Sequence, residues 1–115
     1  MRLLICAGRH YADTLMCLRV LDAYQAINGV SVLIHGASPY LGSAVEDWAR
    51  EAGVDVVRYP PNWKMYGKQA ERRRNRFMLT DSRPDVVIAL PGGDDTCALI
   101  SRARAAGIHV VTVNN

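Results

Sequence analysis

The sequence predicts an α/β domain with a three-layer, Rossmann-like fold: a five-stranded, mostly parallel sheet flanked by helices. Two observations predict it. Five short apolar runs alternate with four longer amphipathic segments along 115 residues. The resulting β-α-β-α-β-α-β-α-β order joins successive strands through helices, which requires parallel pairing and right-handed crossovers.

The strands come first. Leu3 to Ala7 is an apolar run closed by Gly8, and Val30 to Ile34 is a second, closed by His35-Gly36. Val54 to Val57 is a third, ending at Tyr59-Pro60-Pro61. Asp85 to Leu90 is a fourth, ending at Pro91-Gly92-Gly93, and His109 to Val113 is a fifth. Short Val- and Ile-rich runs closed by glycine or proline are the pattern of strands buried on both faces.

Between them, Asp13 to Ile27 repeats its apolar residues at helical spacing, with Asp13 placed as N-cap and Asn28-Gly29 as the stop. Gly42 to Ala52 is a second helix, stopped by Gly53. Gly67 to Leu79 is a third, with one highly charged face, and Thr96 to Ala106 a fourth. Thr96 is its expected N-cap and Gly107 its expected stop.

One domain over residues 1–115 fits this length. Half of the residues are hydrophobic, so a core can form without disulfide staples. The three cysteines, Cys6, Cys17 and Cys97, form no C-x-x-C pair. That argues against a secreted disulfide framework and a zinc site, and suits a reducing cytoplasm. For Cys97 buried packing is expected. No run approaches the roughly 20 apolar residues of a membrane span, and no signal-peptide pattern opens the chain. The expectation is a soluble cytoplasmic protein that uses no membrane partner, metal or obligatory cofactor.

In open parallel sheets, ligands bind beyond the carboxyl ends of the strands. Four segments therefore matter: Gly8 to Asp13, Gly36 to Gly42, Tyr59 to Gly67 and Pro91 to Thr96. In the last, Gly92 and Gly93 let the backbone approach a ligand closely. The helix that follows offers free N–H groups and a dipole that favours an anion. No Gly-Lys-Ser/Thr follows, so this is not a Walker A loop, and an ordinary tight turn has the same composition. Asp94 and Asp95 would repel a phosphate. They suit a cation, ribose hydroxyls or a solvated helix N-terminus instead.

Net charge is +3, but Lys64, Lys68, Arg72, Arg73, Arg74 and Arg76 fall within thirteen residues that contain one acid, Glu71. Helical spacing brings Lys68, Arg72 and Asn75 near one another, and Glu71 near Arg74. Arginine grips phosphate oxygens with two parallel donors, although a solvated basic face has the same composition. After the first strand, Arg9 could meet a phosphate and Tyr11 could stack on a base. His10 and His35 are proton-transfer candidates without a sequence partner. Trp48 and Trp63 are packing residues in the simplest reading, with Trp63 also placed to line a pocket.

Together these pieces resemble the YspA-related branch of the SLOG superfamily, a Rossmann-like group that includes the LOG and DprA proteins. The resemblance runs from about Arg9 to Val113. It rests on Arg9-x-Tyr11-x-Asp13, on His35-Gly36 with Trp48-Ala49 beyond it, and on Trp63, Gly67-Lys68 and Arg74-Asn75 with Met78. Pro91-Gly92-Gly93-x-x-Thr96 and Ala106-Gly107 complete it. The resemblance implies a nucleotide-derived, phosphate-bearing ligand, of the ADP-ribose, NAD or nucleoside phosphate type, at the strand carboxyl ends. It places Arg9, Gly36, Arg74, Asn75, Gly92, Gly93 and Thr96 toward that ligand.

Departures from the family pattern bear on activity. Asp95 stands where the loop usually has a third glycine, and Tyr40-Leu41-Gly42 where the family has Gly-Ala-Asp. Leu99 stands where the LOG hydrolases carry a glutamate that assists glycosidic cleavage, and an apolar side chain cannot stabilise oxocarbenium-like charge. Binding or sensing is therefore the expected function. A nucleotide N-glycosidase with remodelled residues, Asp94 or Asp95 serving as catalytic carboxylate, is the alternative. Single-stranded nucleic acid is a third option, implied by the likeness to the DprA proteins together with the Arg72 to Arg76 cluster. A homo-oligomer is also expected, a dimer with the third helix or its loop at the interface.

Overall fold

A computed structural model describes residues 1–114. The strands are β1 (Arg2–Cys6), β2 (Val32–His35), β3 (Asp55–Arg58), β4 (Val86–Ala89) and β5 (His109–Thr112). They form one sheet in the order β3-β2-β1-β4-β5. Every pairing is parallel, so the sheet is wholly rather than mostly so.

The helices are α1 (Thr14–Asn28), α2 (Gly42–Ala52), α3 (Trp63–Tyr66), α4 (Ala70–Ser82) and α5 (Asp94–Ala105). Side chains alternate across the pleat, which splits the core in two. Leu3, Ile5, Leu33, Val86 and Ile88 meet Cys17 and Leu21 of α1 and Val45, Trp48 and Ala49 of α2. Leu4, Ile34 and Val87 meet Met78 and Leu79 of α4 and Leu99 and Ala103 of α5. Each cluster buries several large side chains completely, each worth roughly 1.5–3 kcal/mol of transfer free energy.

Three expectations about elements need correction. The strand composition predicts burial on both faces, but β3 and β5 are the sheet edges and none of their residues is buried. The third helix does not run unbroken from Gly67. A helical turn, α3, comes first, and Asn62 caps it by accepting from the Met65 N–H at 3.0 Å. Gly67 then takes a φ of +52°, which ends that turn, and a short 3-10 segment, Gly67–Gln69, leads into α4. The fourth helix begins at Asp94, so Gly93 and not Thr96 is its N-cap. The Cys97 N–H closes the first turn on the Gly93 carbonyl at 3.0 Å.

Asp13 does cap α1, accepting from the Met16 N–H at 3.0 Å. Gly29, Gly53 and Gly107 all have positive φ at helix ends, as the stop signals require.

Candidate functional site

The sheet order fixes where a ligand can enter. After β1 the chain turns to α1 on one face, and after β4 to α5 on the other. These two strands are neighbours, so their following loops part and leave a crevice at the topological switch point. A cleft of about 350 Å³ lies there, walled by residues 7–11, by residues 91–96 and by Glu71, Arg74 and Asn75 of α4. It brings together Arg9, Arg74, Asn75, Gly92, Gly93, Asp94, Asp95 and Thr96 from three separate stretches of sequence.

Backbone holds the two loops edge to edge. The Gly8 N–H donates to the Pro91 carbonyl at 3.0 Å. A Cβ on Gly8 would sit 2.9 Å from Gly92 Cα, and one on Gly92 would collide with Thr96 Oγ1 and lie 2.7 Å from Gly8 N. These two glycines are required by the chain's own packing. Gly93 differs: a Cβ there would meet nothing within 4 Å, and its φ is −95°. Its bare backbone faces open space.

The N-terminus of α5 has no side-chain cap. The first amides of a helix have no intrahelical partner, and here no capping side chain supplies one. Asp94 and Asp95 occupy the first turn, where the helix dipole favours them. Asp95 is held by Arg72 at 2.9 Å, and its carbonyl accepts from Asn75 Nδ2 at 3.4 Å. Asp94 is exposed and has no ion-pair partner among the described residues.

Arg74 is nearly buried and serves as a structural cation under the cleft. Its guanidinium donates to the Gly36 carbonyl, to the Tyr59 carbonyl at 3.3 Å and to Asn75 Oδ1 at 2.6 Å. Burial lowers its pKa, opposed mainly by Glu71, whose carboxylate lies 3.8 Å away. The guanidinium occupies the space where a Cβ of Gly36 would stand. Gly36 therefore lies behind the cleft, on a small interior cavity it shares with Cys6, His35, Ser38, Arg74 and Asn75.

Arg9 is about half exposed at the mouth, 3.6 Å from Glu71 and 4.9 Å above the Trp63 ring. Trp63 thus meets the site through Arg9. Tyr11 packs partly buried against the core. Glu71 is a charged cleft residue that the family resemblance does not place toward the ligand. Its signal was being the single acid in a run of six cations.

His35 is buried next to this region. Its Nδ1 accepts from the Ala37 N–H at 3.1 Å, so the neutral ring carries its proton on Nε2 and donates to Glu46 at 2.7 Å. Burial pushes its pKa below the ordinary 6.5, against the pull of Glu46. Glu46 also takes two bonds from Arg58, at 2.6 and 2.5 Å, which hold its carboxyl down at about 2. His35 and Glu46 thus form a buttress behind the loop after β2. His10 is exposed at the cleft.

Burial raises the thiols of Cys6 and Cys17 to about 12, so neither is a nucleophile near neutrality. Cys97 is exposed, not buried as expected, because Thr96, Leu99 and Ala103 take the inward face of α5. Leu99 is 1% exposed and belongs to the core. Trp48 packs in the core as expected and donates from Nε1 to Asp22 at 2.7 Å. Among the described residues no group of three or more His, Cys, Asp or Glu side chains is placed to hold a metal ion. No helix there is long and apolar enough to cross a membrane.

Residues 1–66, more than half of the chain, match the family described as YspA, cpYpsA-related SLOG. The match runs from β1 through α3 and so includes the first wall of the cleft. No curated protein and no solved structure matches the chain.

Proposed function

The chain belongs to the YspA, cpYpsA-related SLOG family, and on that premise we propose that it binds a nucleotide-derived, phosphate-bearing ligand in the switch-point cleft. The observation that carries this reading is the uncapped N-terminus of α5 opening into the cleft beside the unobstructed backbone of Gly93. Free amides and the positive end of a helix dipole form an anion site, and a bare glycine lets phosphate oxygens reach them. Arg74 adds a buried positive charge beneath, and Arg9 a half-exposed one at the mouth. Asp94 is placed to accept from ribose hydroxyls, and Asp95 beside it is tied to Arg72. ADP-ribose, NAD and nucleoside phosphates share this chemistry of phosphate next to ribose.

Binding fits the carboxylates better than hydrolysis does. Leu99 lies in the core. The carboxylates of the cleft are Glu71, Asp94 and Asp95, and the first and last are engaged by arginines. Only Asp94 is left to assist cleavage of an N-glycosidic bond, and it sits on the helix end that would hold phosphate.

A thermal-shift series with ADP-ribose, NAD and AMP tests the proposal. A ligand at 100 times its Kd should add about 2.7 kcal/mol of stability. No shift with any of the three counts against it. Incubation with AMP and NAD should release no free base. Release that disappears in Asp94→Asn would move the reading to an N-glycosidase.

A further inference from the structure

A second and larger groove, of about 880 Å³, runs along α4 between the loop after β3, α3 and the last turn of α5. Six arginines line it, Arg58, Arg72, Arg73, Arg74, Arg76 and Arg102, and no aspartate or glutamate does. Gln69, Arg73, Arg76, Phe77 and Thr80 recur at helical spacing on its wall and make a stripe roughly 16 Å long. Arg58 and Arg72 are spent on Glu46 and Asp95, and Arg74 is buried. Arg73, Arg76 and Arg102 have no ion-pair partner among the described residues.

Aromatic faces stand among these cations. Phe77 is 61% exposed and Tyr66 38%. The Arg73 guanidinium lies 4.6 Å above the Tyr66 ring, and Tyr59 meets Phe77 edge-on at 5.9 Å. A ring as exposed as Phe77, set in a stripe of arginines, contributes little to the fold it sits on.

We propose that this groove binds single-stranded nucleic acid, its arginines tracking the phosphates and its rings stacking on unpaired bases. Guanidinium forks match phosphate geometry, and every base offers a π-face to an aromatic platform. An acidic peptide would engage the arginines and leave the rings unmatched. A duplex would hide the base faces that the rings require. Arg73, Arg76, Arg102, Tyr66 and Phe77 lie outside the switch-point cleft, so the failure of either site leaves the other standing.

Fluorescence anisotropy with a short labelled oligothymidylate tests it on the full chain. Binding should weaken steeply with salt. Arg76→Glu and Arg102→Glu should each weaken it and reduce the slope of log affinity against log salt by about 0.7 per lost phosphate contact. Phe77→Ala should weaken it about five-fold or more without changing that slope. Arg50→Glu, on α2, should change nothing, and melting curves will show that the variants fold. Salt-insensitive binding, equal affinity for duplex, or equal competition by polyglutamate would overturn the proposal. So would a dimer that Phe77→Ala dissociates, since a second copy would then cover the groove.

Discussion

The two walls of the cleft are both strand-to-helix junctions, yet they are built on different terms. After β1 the chain runs through Ala7 to Asp13, and Asp13 turns back to cap α1. After β4 it runs through Leu90 to Gly93 and enters α5 with no cap. The first wall satisfies a helix amide with its own side chain and presents Arg9 and Tyr11. The second presents backbone. A helix amide closed on its own cap carboxylate is not free for an anion, whereas α5 begins at a bare glycine that caps nothing, and of its two first-turn carboxylates Asp95 is paired with Arg72. The ligand-facing asymmetry of the site follows from one side chain being present at Asp13 and absent at Gly93.

The largest effect should come from the seam between the walls. Gly92→Val places atoms against Thr96 and Gly8 and should cost about 1–3 kcal/mol or more in urea denaturation, with ligand binding lost as well. A neutral result would break the account of how the loops are joined. Asp13→Ala should cost about 1 kcal/mol and leave binding intact, because that wall's helix end serves stability. A loss of binding in this variant would erase the contrast between the walls.

A smaller effect concerns the buttress behind the first wall. The folded state holds His35 neutral where the unfolded chain takes up a proton, so stability should fall as pH drops below 6.5. The Glu46 carboxyl, held down at about 2 from 4.5, stabilises above the higher value and loses that contribution as pH falls toward the lower. Arg58 is more than half exposed, so solvent screening keeps this second loss small. Glu46→Gln should remove the lower of the two losses in acid denaturation curves.

Much of the fold was legible because burial on both faces of a strand writes itself as a continuous apolar run. Leu3, Leu4 and Ile5 in sequence became opposite faces of one strand, and the glycine stops fell at positive φ. Edge position was not legible: Val54 to Val57 has the composition of a buried run, and only strand order exposes Val56. The α3 turn was not legible because Pro60 and Pro61 mark a loop, although Asn62 stands three residues before Met65, the spacing of a cap. For the site, residue identity was legible and role was less so. Arg74 looked like a phosphate clamp, but its donors serve Gly36, Tyr59 and Asn75. Gly36 makes room for that guanidinium, and Thr96 lies buried in the first turn of α5, three residues past the Gly93 cap. Such roles depend on which loops the sheet order brings together, and no local pattern encodes that order.

Calorimetric titration of ADP-ribose, NAD and AMP into the wild-type chain and into Gly93→Val tests the central claim most directly. Nothing lies within 4 Å of a Cβ at Gly93, so the variant should fold and lose only the N-cap preference of glycine over valine, about 1 kcal/mol. The wild type should bind at least one of the three, and the variant should bind it at least ten-fold more weakly, an affinity change of about 1.4 kcal/mol or more. Equal affinity in the two proteins, or no heat from the wild type with any of the three, would contradict the assignment of the α5 N-terminus as a phosphate site.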